Sequence, residues 1–190
     1  RIWTCENFSS PELCEWLVAR AGNRFKPALM RDASTGTAQA LESRTCSDFV
    51  FDIVEGGLVM LLLRIKISNV TCIPGPHMEP PQIFHYAIGQ EIKPHHDFLF
   101  DGKRAYGRDG TYKGDRLATF LMYLNDGYEG GSLVFPRADF RYKGWSGDGI
   151  FFASQRDGKP DPLSLHAATP VTWGEKYILS QWIHDRPFAA

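Results

Sequence analysis

Cysteine is sparse in this chain and follows no pairing pattern. Cys5, Cys14, Cys46 and Cys72 are scattered along 190 residues with no CxxC spacing. That argues against a structural zinc site and against a disulfide-stapled scaffold. Free, mostly buried thiols are expected. An excess of one charge is also lacking, since 21 Lys and Arg face 22 Asp and Glu for a net charge of -1. Nothing in that balance calls for a nucleic acid or another polyanion as partner. Long apolar runs are missing too. The best stretch, Leu58 to Leu63, reaches weakly to Ile67 and is interrupted by Arg64 and Lys66. A membrane span needs about 20 apolar residues, so no membrane partner is expected. The opening RIWTCENFSS has no basic segment followed by an apolar core. For a chain that can be a trimmed domain this says little about compartment. A cytoplasmic location is the favoured expectation, with a secretory compartment open if the chain has been trimmed. Asn69-Val70-Thr71 fits a glycosylation acceptor and matters only in that second case. No internal repeat is visible.

What is present is ordinary globular composition, 43% apolar and 23% charged, on a length that suits one hydrophobic core. The chain divides by character into a helical support region over residues 1–75 and a strand-rich core over 82–185, together one domain over 1–190. Ser9-Ser10-Pro11-Glu12 reads as a helix start, with Ser10 as cap and Pro11 in the first turn. Leu13, Trp16, Leu17 and Ala21 continue at helical spacing, and Gly22 can end it. A second helix is expected from about Asp52 to Ile67. Gly56-Gly57 weakens it by about 1 kcal/mol per glycine, and the apolar run that follows could equally be strand. From Gln82 the chain turns to short aromatic and β-branched runs such as QIFHYAI, RLATFLMYL and KYILSQWI, separated by turn residues. The coarse expectation is two N-terminal helices backing an all-β sandwich or barrel. Between Phe100 and Arg116 lies a polar, glycine-rich loop of a length usually reserved for function or disorder.

The residues with chemistry begin at KPHHDFLF, Lys93 to Phe100. In a strand, His95 and Asp97 share a face while His96 points to the other. Two such side chains can share an ion, with His166 in LSLHAATPV as the third ligand. Two imidazoles and a carboxylate suit a borderline divalent metal. With open positions they make the non-haem iron(II) arrangement; the same donors also suit zinc. The plain alternative is a partly buried His95 paired locally with Asp97.

Three ordered blocks go further. They are YAIGQEIKPHHD, RLATFLMYLND with GGSLVFP, and LHAATPVTWGEKYILSQWIHD. Together they resemble the 2-oxoglutarate and iron(II)-dependent oxygenases of the prolyl 4-hydroxylase type. CENFSSPELCEWL and SRTCS extend the likeness weakly toward the start. The resemblance implies a double-stranded β-helix, or jelly roll, mainly β with flanking N-terminal helices. It implies that His95, Asp97 and His166 hold Fe(II) as catalytic ligands. Lys176 would take the distal carboxylate of 2-oxoglutarate, and Thr119 and Tyr86 would add hydrogen bonds to that cosubstrate. The bare sequence gives Lys176 some support of its own. Its strand mates Ile178, Ser180 and Trp182 share its face, and a lysine aimed into such a face needs a counter-charge.

The implied reaction is hydroxylation of an unactivated C–H bond, using O2 and coupled to decarboxylation of 2-oxoglutarate to succinate and CO2. Ascorbate is an expected activator. Asp97 is the carboxylate that related halogenases lack, which favours hydroxylation. The expected substrate is a prolyl residue in a peptide or protein. Trp182 and His184 match positions near the family's substrate pocket, and Arg104, in the loop from Asp101 to Asp115, is a candidate clamp under a mobile lid. One departure concerns the substrate. Where the peptidyl enzymes usually carry a tyrosine three residues before the first iron histidine, this chain has Ile92. A hydroxylase of a free amino acid or other small molecule is therefore the alternative. A non-catalytic jelly-roll binding module and a zinc or manganese hydrolase are weaker ones, because neither explains Lys176.

Overall fold

The structure, a computed structural model, describes residues 1–28, 30–31, 38–39, 44–98 and 114–188. The first helix, α1 (Pro11–Ala21), forms where its capping residues bracket it. Ser10 Oγ accepts the Leu13 N–H at 3.4 Å, and Gly22 turns the chain out at φ 51°. Cys14, Leu17 and Ala21 form its buried stripe. The second, α2 (Ile53–Thr71), is capped by Asp52, whose carboxylate accepts the Val54 N–H at 2.7 Å. The ambiguous apolar run is therefore helical, and it runs past Ile67 to Thr71. The glycine pair does not dissolve the helix because the break is confined to one joint. Gly57 takes φ 53°, ψ -145°, a conformation open to glycine at little cost, and regular helix resumes behind it. Met60, Leu63 and Ile67 then face the core at helical spacing. Among the described residues no helix is long and apolar enough to cross a membrane.

Six strands carry the site: β1 (Gln82–Tyr86), β2 (Ile92–His95), β3 (Arg116–Tyr123), β4 (Leu133–Phe135), β5 (His166–Ala168) and β6 (Lys176–His184). Strands β3, β6 and β1 are neighbours at the middle of a seven-stranded sheet. Gly149–Ala153 and Ile2–Cys5 extend it on one side, Ser47–Val50 and Lys26–Pro27 on the other. Strands β4, β5 and β2, with Phe140–Tyr142, make a four-stranded sheet. Strand alternation then sorts the side chains into two cores. Phe120, Met122, Leu179 and Ile183 pack under the helices. Leu121, Tyr123, Ile178 and Trp182 point the other way, onto Leu133 and Ala168 of the smaller sheet. The result is a jelly roll of two facing sheets with the helices on the outer face of the larger one.

All four cysteines are free; Cys14 and Cys46 are buried and Cys72 is exposed. Arg104, Leu99, Phe100 and the expected lid up to residue 113 lie outside the described residues.

Candidate active site

The two histidines meet because β2 and β5 are antiparallel neighbours in register, with His95 opposite His166. Asp97 arrives differently from the sequence expectation. Strand β2 ends at His95, and Asp97 lies in the bend beyond it. A turn of the chain, not strand alternation, brings its carboxylate back. His96 is indeed absent from the cluster. Its Nδ1 lies 3.1 Å from Ser164 Oγ, which ties the end of β2 to the turn ahead of His166.

The donor atoms of His95, Asp97 and His166 all lie within 4.8 Å of one another. His95 Nε2 is 3.6 Å from Asp97 Oδ1, and His166 Nε2 is 3.7 Å from Asp97 Oδ2. Each ring is oriented from behind in the same way. His95 Nδ1–H donates to the Lys93 carbonyl at 2.9 Å, and His166 Nδ1–H donates to the Ser164 carbonyl at 2.9 Å. A carbonyl can only accept, so both rings carry a proton on Nδ1 and turn Nε2 toward Asp97. Burial pushes the Asp97 carboxyl up, but His166 and His95 outweigh it and hold the group well below the usual carboxylate range. Burial also brings His166 down to about 4, which keeps the ring neutral. Two imidazoles and a carboxylate on one side of a pocket fit Fe(II) with positions left open for other ligands.

The cluster lies at a cavity walled by side chains of both sheets. Lys176 lines the same cavity. Its side chain is only 1% exposed and has no carboxylate partner among the described residues. Its ammonium donates to the Gly131 carbonyl at 2.7 Å and lies 5.0 Å from the centre of the Tyr86 ring. Burial drives the lysine from 10.5 down to about 7. Gly131 allows this approach: at φ +60°, a Cβ on it would come within 3.1 Å of Lys176 Cδ. A buried cation with neutral partners only is an incomplete arrangement costing several kcal/mol. An anion entering the cavity completes it. Tyr86 stands directly across from Lys176 in the β1–β6 pairing and lines the cavity with it.

The remaining sequence candidates divide. Ile92 and Trp182 line the cavity, together with Ile178 and Ser180 on the face expected for β6. Thr119 does not line it. Its hydroxyl donates to Asp97 Oδ2 at 2.6 Å, so the group expected at the cosubstrate is engaged by a metal-ligand carboxylate. His184 is also elsewhere. It is fully buried, with Nε2 2.7 Å from Glu79 Oε1 and Nδ1 3.1 Å from the Gly114 carbonyl. The reason is Glu79, which Arg116 grips through two nitrogens at 2.6 and 3.1 Å. The same guanidinium covers the Trp182 ring at 3.8 Å. His184 thus sits in the network behind the Trp182 wall. Arg44 was assigned no role from sequence, although SRTCS contains it. It lines the cavity with its guanidinium over Phe84, and its Nε is buried without a hydrogen-bond partner among the described residues.

Comparison with known proteins agrees with this geometry. Residues 81–184 match the family model of the 2OG-Fe(II) oxygenase superfamily. The chain is 33% identical over 204 residues to probable prolyl 4-hydroxylase 3 of Arabidopsis thaliana, covering 97% of this chain and 69% of that protein. Prolyl 4-hydroxylase 1 of the same plant is 32% identical over 204 residues, with coverages of 98% and 69%. Among solved structures, the viral collagen prolyl hydroxylase vCPH from Paramecium Bursaria Chlorella virus-1, in complex with 2OG, matches with a TM-score of 0.70. Identity there is 26%, over 96% of this chain and 94% of that one. The chain belongs to the 2OG-Fe(II) oxygenase superfamily, among its prolyl 4-hydroxylase-type members.

Proposed function

We propose that this enzyme hydroxylates prolyl residues in a peptide or protein, consuming 2-oxoglutarate and O2 and releasing succinate and CO2. The observation that carries the cofactor assignment is Lys176, a buried cation lacking a counter-anion in the same cavity as the His95–Asp97–His166 cluster. A dicarboxylate with an oxygen-donor end for the metal and a free carboxylate for Lys176 suits both features. The proline assignment rests on the relatives and on an apolar wall that suits a pyrrolidine ring, Ile92 and Trp182 among its side chains.

His95, Asp97 and His166 would hold Fe(II), which when bound supplies the oxygen activation that no side chain can. The protein's own part is positional. The Lys93 and Ser164 carbonyls aim the imidazoles. Lys176 anchors the cosubstrate's far carboxylate, and Tyr86 offers a hydroxyl at the same end. Trp182, pinned by Arg116, and Ile92 form apolar walls that exclude water from the reacting carbon. No acid–base pair is required of the protein.

The test is product analysis with Fe(II), 2-oxoglutarate and either a proline-rich peptide or free proline. Hydroxyproline in the peptide, with succinate formed in proportion, is expected. Succinate coupled to free proline alone would shift the reading to the small-molecule hydroxylase, and no coupled succinate with any proline compound would remove the substrate assignment.

A further inference from the structure

Strand β3 crosses the middle of the larger sheet, with Thr119 paired to Phe152 on one side and Trp182 on the other. The Thr119 side chain is fully buried and Asp97 nearly so. The 2.6 Å contact between them therefore links the larger sheet to the bend beyond β2 that carries Asp97. Its direction is fixed by chemistry. A carboxylate oxygen accepts, so the Thr119 hydroxyl proton points at Oδ2. The hydroxyl's one other hydrogen-bond partner among the described residues is Ser154 Oγ, at 3.5 Å. A β-branched side chain on a strand paired on both sides has little rotameric freedom, so the donor stays where the sheet puts it.

We propose that Thr119 is a positioning residue that makes Asp97 a one-oxygen ligand. Oδ2 lies nearer His166 Nε2 and Oδ1 nearer His95 Nε2; by engaging Oδ2, Thr119 leaves Oδ1 as the oxygen to face the metal. A carboxylate free to rotate could close on the ion with both oxygens and take up a position needed for cosubstrate or O2. Thr119 prevents that rotation without touching the metal, the cosubstrate or the substrate. The inference rests on the reading that this cluster holds Fe(II).

The experiment is anaerobic titration with Co(II), a spectroscopically visible stand-in for Fe(II), of the wild-type enzyme and of Thr119→Val, Thr119→Ser and Thr119→Cys. Thr119→Val keeps the shape and removes the donor. It is expected to weaken Co(II) binding ~10- to 100-fold, the usual effect of losing an outer-shell hydrogen bond, and to change the visible Co(II) spectrum as the coordination changes. Thr119→Ser keeps the hydroxyl and is expected to restore both affinity and spectrum. Thr119→Cys, with a poor donor of similar size, is expected to fall between them and serves if the valine variant does not fold. Equal Co(II) affinity and spectra in wild type and the valine or cysteine variant would overturn the proposal. So would a serine variant as impaired as the valine one. A wild-type enzyme that binds no Co(II) would instead overturn the metal reading itself.

Discussion

The two ends of the cavity are built on opposite plans. At the metal end every ligand is braced by the protein. A backbone carbonyl stands behind each imidazole, and Thr119 stands behind the carboxylate. At the other end Lys176 is buried as deeply but among the described residues meets only a carbonyl and aromatic faces. The first end is complete in its hydrogen bonds before any ligand arrives. The second is left short of one negative charge. An enzyme that must hold its metal through many turnovers yet exchange its cosubstrate in each one gains from that asymmetry. The permanent ligand finds a rigid seat, while the exchanging one contributes the missing charge and leaves again.

Removing a braced ligand should have the largest effect. Asp97→Ala deletes the only anionic donor in the cluster. The loss in metal affinity should exceed the ~100-fold that an outer-shell hydrogen bond can cost, with substrate-coupled succinate formation lost as well. A metal titration of the folded variant checks it. Wild-type metal affinity in that variant would mean that the two ends are not distinct in the way described.

Lys176→Met should come next and act in two opposite directions. Without the ammonium, 2-oxoglutarate loses a buried charge partner worth about 2 kcal/mol or more, a weakening of ~30-fold or greater. The ligand-free protein should at the same time become more stable at neutral pH, by about 1–4 kcal/mol, because an uncompensated buried cation has been replaced by an apolar chain. Calorimetric melting with and without cosubstrate separates the two effects. A variant that lost stability in the ligand-free state would show that the lysine is already satisfied there.

The same lysine sets a pH dependence. Its folded-state value of about 7 lies below the ordinary 10.5, so from pH 7 to 10.5 the unfolded chain binds more protons. The charged form is penalised in the folded state. That penalty, about 5 kcal/mol at most, is fully present below pH 7 and fades as pH rises toward 10.5. Stability of the ligand-free enzyme should therefore rise through that window. Cosubstrate binding should show the reverse trend. A dicarboxylate prefers the protonated lysine, so its dissociation constant should increase up to ~10-fold per pH unit above about 7, with proton uptake on binding. Titration calorimetry in buffers of different ionisation enthalpy measures the uptake, and Lys176→Arg should abolish it.

How much of this could be read before the structure follows from the range of each cause. α1 was legible because Ser10, Pro11 and Gly22 act locally. Lys176 was legible because alternation along β6 places Ile178, Ser180 and Trp182 beside it, and the cavity has those neighbours. For His95 and Asp97 the right pairing came from the wrong geometry, since a bend replaces the assumed strand. The contacts that sequence could not place depend on distant partners. Thr119 faces Asp97 only once two sheets close on each other. His184 is claimed by Glu79, which lies 105 residues earlier in the chain. No local pattern carries either contact. α2 was ambiguous because LVMLLL is apolar enough for strand or helix, and only packing of Met60, Leu63 and Ile67 decides it.

The smallest expected effect tests the Lys176 end without touching its charge. Tyr86 lies opposite Lys176, and burial, followed by the neighbouring Cys46, raises its hydroxyl well above the usual phenol range. The hydroxyl therefore stays protonated, and a donor, wherever the enzyme is folded. Tyr86→Phe removes that donor and keeps the ring over which the ammonium sits. A hydrogen bond to a charged carboxylate is worth about 1.5 kcal/mol or more, so cosubstrate binding should weaken roughly tenfold. The loss should be the same at every pH. A plot of log Kd against pH should shift in parallel, with the slope set by Lys176 unchanged. A change in slope would mean that Tyr86 helps to set the lysine's protonation, and the charge deficit at this end would then belong to the pair, not to Lys176 alone.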